Sequence, residues 1–157
     1  MKIEYIITHH TGGSNANPLL DTSNQTMEQV DAYHKSLGWD GIGYNWFIEK
    51  SGLRKKGRDE NKMGAHTIGY NDKSIGICLA GNFDLTLPTK EQTETLTKLL
   101  KEKMIQYNLS ADRIVPHRKF ANKTCYGRKL SDTWASDLVK KSKEEIKLEI
   151  KNLVDLL

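Results

Sequence analysis

Long apolar segments are absent from this chain of 157 residues. No run approaches the roughly 20 apolar residues that a membrane-spanning helix requires, which excludes a transmembrane segment. The N-terminal stretch MKIEYIITHH also lacks the apolar core and the small-residue cleavage site of a secretory signal. We therefore expect the chain to be made in the cytoplasm without a signal peptide.

Cysteine is scarce, and the two cysteines, Cys78 and Cys125, lie in surroundings that suggest no disulfide framework. Cys78 belongs to the apolar run SIGICLA and is expected to be a small buried hydrophobic residue. Cys125 follows Thr124 in a lysine-containing loop, and the charge of a nearby lysine can stabilise a thiolate. These surroundings favour a core role for Cys78 and leave Cys125 as a candidate metal ligand.

Clusters of positive charge are also lacking, although the chain is modestly basic, with a formal net charge of +4 and a pI near 9.0. A basic balance favours attraction to polyanions, such as nucleic acid or the acidic polymers of a cell wall. The lysines are scattered, and no helix-turn-helix, RNA-binding or zinc-finger spacing appears. We therefore expect no nucleic-acid partner.

Apolar residues make up 37% and charged residues 28% of the chain, which is the balance of one globular domain. Residues 3–8 predict a strand that leads directly into His9 and His10. Residues 44–49, the turn at 50–52 and Leu53 predict a hairpin. Residues 74–80 have the unbroken apolar character of a strand at the sheet centre, and residues 114–115 predict a short strand.

Helical spacing appears between these strands. From Thr26, apolar residues recur with a period of about 3.6 until Gly38. Thr89 and Gln92 form a capping-box signature before a second apolar stripe, made of Leu96, Leu99, Leu100, Met104 and Ile105. The interleaved pattern predicts an α/β domain in which helices flank a central mixed sheet.

The last segment differs from the rest of the chain. Ser142 and Glu145 form another capping box, and an amphipathic helix follows with one apolar face, made of Ile146, Ile150, Leu153, Val154 and Leu157. We divide the chain into a catalytic domain at residues 1–141 and a C-terminal helical extension at residues 142–157. The extension is expected to dock on the domain; the alternative is self-association or envelope targeting.

Three residues have side chains suited to a catalytic zinc site: His9 after the first strand, His117 after the last, and Cys125. Three protein ligands and one water are the usual composition of such a site. The two histidines lie 108 residues apart, so spacing alone leaves the metal open. Strand-end histidines are also often hydrogen-bonded surface groups, which is our expectation for His10 and His34.

Four segments, in order, carry a family resemblance: ITHHT at 7–11, HKSLGWDGIGYNWFIEKSG at 34–52, GRDE with GAHTIGYNDKSIGICLAGNF within 57–83, and HRKFANKTC at 117–125. Over residues 3–134 the chain resembles the zinc-dependent N-acetylmuramoyl-L-alanine amidases. This family includes phage lysozymes of the T7 type, bacterial amidases and animal peptidoglycan recognition proteins. The resemblance implies hydrolysis of the amide between N-acetylmuramic acid and L-alanine in peptidoglycan.

The resemblance also assigns roles to residues. It implies Zn²⁺ held by His9, His117 and Cys125, with Tyr44 and Lys123 as the catalytic pair. His66 matches a histidine of the substrate groove, and Asn71 and Ser74 are expected to shape the same wall; the alternative is that His66 only holds its loop. Trp39 and Trp46 are candidates for a sugar-binding groove, although core positions are commoner for such residues.

The implied chemistry is coherent. Zinc lowers the pKa of its bound water from about 15.7 toward 7 and polarises the scissile carbonyl. The Lys123 ammonium can stabilise the oxyanion of the tetrahedral intermediate. The Tyr44 hydroxyl can orient water or pass a proton to the leaving amine.

Cys125 bears on the branch of the family, because the branches that recycle muropeptides carry aspartate here and recognition proteins that only bind the wall usually lack this cysteine. We therefore expect an active endolysin of a phage or prophage, made in the bacterial host and acting on the wall after the membrane is permeabilised. Two alternatives are a peptidoglycan-binding module with a vestigial site and a zinc hydrolase that cuts a peptide–peptide bond.

Overall fold

A computed structural model describes residues 1–157, apart from the side chain of Lys143. Five strands form one sheet: β1 (Tyr5–His10), β2 (Trp46–Ile48), β3 (Arg54–Lys56), β4 (Ser74–Leu79) and β5 (Ile114–Pro116). Their order across the sheet is β3-β2-β4-β1-β5. β1 is parallel to β4 and β5, β2 is parallel to β4, and β3 is antiparallel to β2. The predicted central mixed sheet is confirmed.

β4 is the central strand, as its apolar run predicts. All six of its residues are buried, because helices cover the sheet and strands flank β4 on both sides. Ile6 of β1 pairs with Ile75 of β4 on one side and with Ile114 of β5 on the other. These three isoleucines belong to the main hydrophobic core.

Four α-helices accompany the sheet: α1 (Met27–Ser36), α2 (Lys90–Tyr107), α3 (Trp134–Asp137) and α4 (Lys143–Asp155). Two single-turn 3₁₀ helices flank β5, at Ala111–Arg113 and His117–Lys119. Capping boxes begin α1 at Thr26 and α2 at Thr89. Each threonine side chain accepts a hydrogen bond from the backbone N–H three residues later, and the side chain of Gln29 or Gln92 accepts one from the backbone N–H of the threonine. No described helix is long and apolar enough to cross a membrane.

The buried face of α2 differs from the prediction at its C-terminal end. Leu96, Leu99 and Leu100 are fully buried, but Ile105 is 84% exposed and Lys103 is 7% exposed. Positions 96, 99, 100 and 103 follow the i, i+3, i+4, i+7 spacing of one helical face, which leaves position 105 on another face. Geometry therefore buries a lysine and exposes an isoleucine.

Lys103 is accommodated by an ion pair, since its Nζ lies 2.6 Å from Oε1 of Glu60. The Glu60 carboxylate also accepts hydrogen bonds from the Trp46 indole N–H and the Tyr107 hydroxyl. The indole of Trp46 is therefore hydrogen-bonded to the buried carboxylate of Glu60.

α4 begins at Ser142 with the predicted capping box to Glu145, but the prediction that the helix docks on the domain is wrong. Ile146, Ile150 and Leu153 on its apolar face are 44%, 57% and 64% exposed. The helix is held by its own cap, by the ion pair between Lys147 and Glu144 within it, and by the ion pair between Glu149 and Lys141 just before it. An amphipathic pattern supplies a face that can be buried, but not a surface to cover it.

Candidate active site

The sheet topology brings the two candidate histidine ligands together. β1 and β5 are parallel neighbours with Thr8 opposite Pro116, so His9 and His117 lie at the same edge of the sheet. Cys125 returns to this edge because the backbone N–H of Arg118 donates to the Cys125 carbonyl at 2.7 Å. Residues far apart in the chain thus become neighbours.

Their ligand atoms form a compact cluster, all within 4.8 Å of one another. The Cys125 Sγ lies 3.7 Å from Nδ1 of His9, and the rings of His9 and His117 have centroids 4.6 Å apart. Sulfur and nitrogen bound tetrahedrally to one zinc are about 3.5 Å apart, given bond lengths of about 2.3 and 2.0 Å. The observed separation is close to this value.

The loop carrying Cys125 is held by groups that the sequence reasoning missed. The Arg118 guanidinium donates to three carbonyls of the loop, those of Thr124, Gly127 and Leu130. Asp84 accepts from the Thr124 hydroxyl at 2.9 Å and from the Arg128 N–H at 2.8 Å. The only sequence signal was the position of Arg118 directly after a predicted ligand.

Burial also sets the charge of the cluster. It lowers the pKa of His9 well below the usual value, helped by neighbouring His66 and His117, and it lowers the pKa of His117 to about 4. Both imidazoles are therefore neutral at pH 7, the state that binds metal. Burial raises the pKa of the Cys125 thiol to about 12, although the charge of Lys123 opposes the rise. A thiolate here thus requires a cation beside it.

Next to the cluster lies a cavity of about 640 Å³, and its lining includes Tyr44, His117, Lys123 and Cys125. The Tyr44 ring centroid is 5.0 Å from that of His9. Burial, with the Cys78 and Cys125 thiols nearby, raises the pKa of Tyr44 well above 10, so its hydroxyl is protonated at neutral pH. Lys123 is exposed to the cavity. The predicted catalytic pair and two of the predicted ligands therefore share one cavity.

His66 lines the same cavity, and its Nδ1 also lies 3.0 Å from Nε2 of His9. Among the residues that the structure describes, Asn71 and Ser74 do not line this cavity. The Asn71 side-chain oxygen accepts the backbone N–H groups of His66 and Thr67, each at 2.8 Å. Ser74 is buried behind the His66 ring. A substrate-binding role for Asn71 and Ser74 stays a prediction; their observed contacts hold His66.

Comparison with known proteins places the chain in a family. The family described as N-acetylmuramoyl-L-alanine amidase matches residues 1–129. The chain belongs to this amidase family. The match confirms the fold class and the amidase activity expected from the sequence motifs.

Individual relatives of the amidase cover most of its length. Peptidoglycan-recognition protein SC2 of Drosophila melanogaster is 32% identical over 139 residues, spanning 85% of this chain and 75% of the relative. The endolysin of Escherichia phage T7 is 33% identical over 119 residues, spanning 72% and 77%. The solved structure of N-acetylmuramoyl-L-alanine amidase LysC from Clostridium intestinale URNW superposes with a TM-score of 0.71 at 30% identity, covering 96% of this chain and 87% of that one.

Other expectations for the amidase are met in part. Cys78 is fully buried, as predicted, but His10 and His34 are also buried, so their predicted surface positions are wrong. Both rings serve as internal acceptors: Nδ1 of His10 binds the Phe83 N–H, and Nδ1 of His34 binds the Gly43 N–H. Trp39 lines the cavity, whereas Trp46 is not among its described lining residues.

Proposed function

We propose that this amidase is a zinc enzyme in which His9, His117 and Cys125 hold the metal. The observation that carries the proposal is the compact ligand cluster beside the cavity. Two nitrogens and one sulfur suit borderline-soft zinc, and three protein ligands leave a position for substrate or water. Because His117 and Cys125 line the cavity, a substrate in it can reach the cluster.

The roles of the side chains follow from their places in the cavity. Zinc, when bound, supplies a Lewis acid that polarises the scissile carbonyl and brings the pKa of water toward 7. Lys123 presents its ammonium to the cavity, where it stabilises the oxyanion of the tetrahedral intermediate. The Tyr44 ring lies beside the His9 ring, and in this proposal the Tyr44 hydroxyl orients water or passes a proton to the leaving amine.

The substrate in this proposal is peptidoglycan, cut between N-acetylmuramic acid and L-alanine during phage-type lysis. Relatives named endolysin, from Escherichia phage T7 and from Klebsiella phage KP32, support this setting. In the same proposal the enzyme is made in the host cytoplasm and reaches the wall once the membrane is permeabilised.

The test is release of peptides with N-terminal L-alanine from purified peptidoglycan, together with measurement of bound zinc. We expect the native protein to release them and Cys125→Ala to lose both zinc and activity. Cys78→Ala is the matched control for zinc content, because it removes the other thiol and leaves the three ligands in place.

Two results would contradict the proposal. Wall binding without hydrolysis by the zinc-loaded native protein would indicate a recognition module. Products whose new N-terminus is not L-alanine, identified by mass spectrometry, would move the cut to a peptide–peptide bond.

A further inference from the structure

The two ring nitrogens of His9 face different partners. Nδ1 lies 3.7 Å from the Cys125 Sγ, whereas Nε2 lies 3.0 Å from Nδ1 of His66. A neutral imidazole carries one N–H, and only its other nitrogen has a lone pair for a metal. The position of the His9 proton therefore decides which of its two ring nitrogens has a lone pair for a cation.

A hydrogen-bond chain behind His9 has a defined direction. The Tyr70 carbonyl can only accept, so the Ser74 hydroxyl donates to it, at 2.7 Å. The Ser74 oxygen, 3.5 Å from Nε2 of His66, is then left to accept from that nitrogen. With its proton on Nε2, His66 has a lone pair on Nδ1, and this lone pair accepts the Nε2–H of His9.

One further group touches the chain, the Thr67 hydroxyl, 2.9 Å from Nδ1 of His66. Nδ1 of His66 offers either one lone pair or one N–H, so the Thr67 hydroxyl shares that atom with His9 in either direction. In the reverse direction the His66 proton would lie on Nδ1 and the His9 proton would point at Cys125, blocking the ligand atom. Ser74 opposes this arrangement, because its proton is already given to the Tyr70 carbonyl.

The ring of His66 is also fixed in place. A Cβ atom added to Gly76 would lie 2.6 Å from the ring, and one added to Gly64 would lie 2.7 Å from it. Both glycines therefore let the backbone approach the ring closely. The Asn71 side chain holds the backbone at the same point. The His9–His66 contact is thus organised before any ligand arrives.

We propose that His66 and Ser74 are positioning residues that keep the His9 proton on Nε2 and so present Nδ1 to the metal. This inference rests on the proposed zinc site, and it gives Ser74 a role behind His66 instead of on the groove wall.

The first test uses the metal-free protein labelled with ¹⁵N at its histidines. Long-range ¹H–¹⁵N spectra at neutral pH separate protonated from unprotonated ring nitrogens. We expect His9 to be protonated at Nε2 and His66 at Nε2. A His9 proton on Nδ1 would overturn the inference. This test needs no zinc, so its outcome is independent of the proposed function.

The second test measures affinity for Zn²⁺ alone, by competition with a chelator. His66→Leu is expected to weaken binding by about 10- to 100-fold, as loss of a ligand's hydrogen-bond partner does. His66→Asn should recover part of the loss, because an amide oxygen can accept where Nδ1 did. Ser74→Ala should weaken binding by about 2- to 10-fold, the equivalent of one hydrogen bond.

Ser136→Ala is the matched control, since it removes a buried serine hydroxyl that donates to the Thr133 carbonyl, away from His66 and from the lining of the site cavity; its zinc affinity should match the native protein. The inference would be overturned if the Ser74→Ala and His66 variants fold and bind Zn²⁺ with native affinity. If His66→Leu does not fold, the Zn²⁺ affinity of Ser74→Ala alone tests the inference. A native protein that binds no zinc would instead refute the proposed function.

Discussion

Replacing Lys103 with methionine tests how much the buried ion pair under α2 contributes to stability. The Lys103 ammonium lies 2.6 Å from Glu60, and the two side chains are only 8% and 12% exposed. Methionine keeps much of the apolar stem and removes the charge. The Glu60 carboxylate then stays largely buried without a counter-ion.

Breaking a buried ion pair from one side costs about 3–5 kcal/mol, whereas an exposed pair contributes about 0–1 kcal/mol. Glu60 keeps neutral donors from Trp46 and Tyr107, which places the expected loss at the lower end, about 3 kcal/mol. For a domain of this size each kcal/mol lowers Tm by about 2–4 °C. Lys103→Met should therefore lower Tm by about 6–12 °C.

Urea unfolding and thermal melts at pH 7 measure the effect. Lys101→Met is the control, because Lys101 is exposed on the same helix and its loss should change stability by less than about 0.5 kcal/mol. A loss below about 1 kcal/mol for Lys103→Met would refute the reasoning, since it would place the pair among surface ion pairs.

Low pH should reduce the difference in stability between the native protein and Lys103→Met. Burial raises the pKa of Glu60, but hydrogen bonds from Lys103, Tyr107 and Trp46 outweigh it and hold that pKa below its usual range. The stabilisation is then present above the unfolded pKa of about 4.3 and lost as pH falls through the lower folded value. The native protein and Lys103→Met should converge in stability over that range.

Two more predictions concern the site and the C-terminal helix. Lys123→Ala should lower kcat by about 100-fold with zinc content unchanged, because it removes a group that stabilises the oxyanion. Lys119→Ala is the control: it removes the same charge outside the site cavity and should keep the native kcat. Removing residues 142–157 should change the free energy of unfolding by less than about 1 kcal/mol and leave hydrolysis intact, because the apolar face of α4 is exposed. A larger loss of stability in urea titrations would show that this face is packed against the domain.

Local features of this fold were predictable from the sequence. The capping boxes at Thr89 and Ser142 depend on residues three apart, and both are present. The central position of β4 followed from its uninterrupted apolar run. In each case the interaction that fixes the structure lies within a few residues of the signal.

Long-range features were harder to predict. His9 and His66 are 57 residues apart, and no local pattern indicates that their rings meet. Lys103 was missed because a lysine is normally taken as exposed, although helical geometry places it under α2. The grouping of His9 with His117 and Cys125 rested on the family motifs, since their spacing in the chain carries no geometric information.

The place of β1 in the sheet has a consequence for the growing chain. β1 is made first, yet its two neighbours are β4 and β5, which end at Leu79 and Pro116. At a synthesis rate of about 5–20 residues per second, several seconds pass between the synthesis of β1 and that of β5. Ile6 and Ile7 are uncovered for that interval, so newly made chains must avoid aggregation before they can assemble a wall-cutting site.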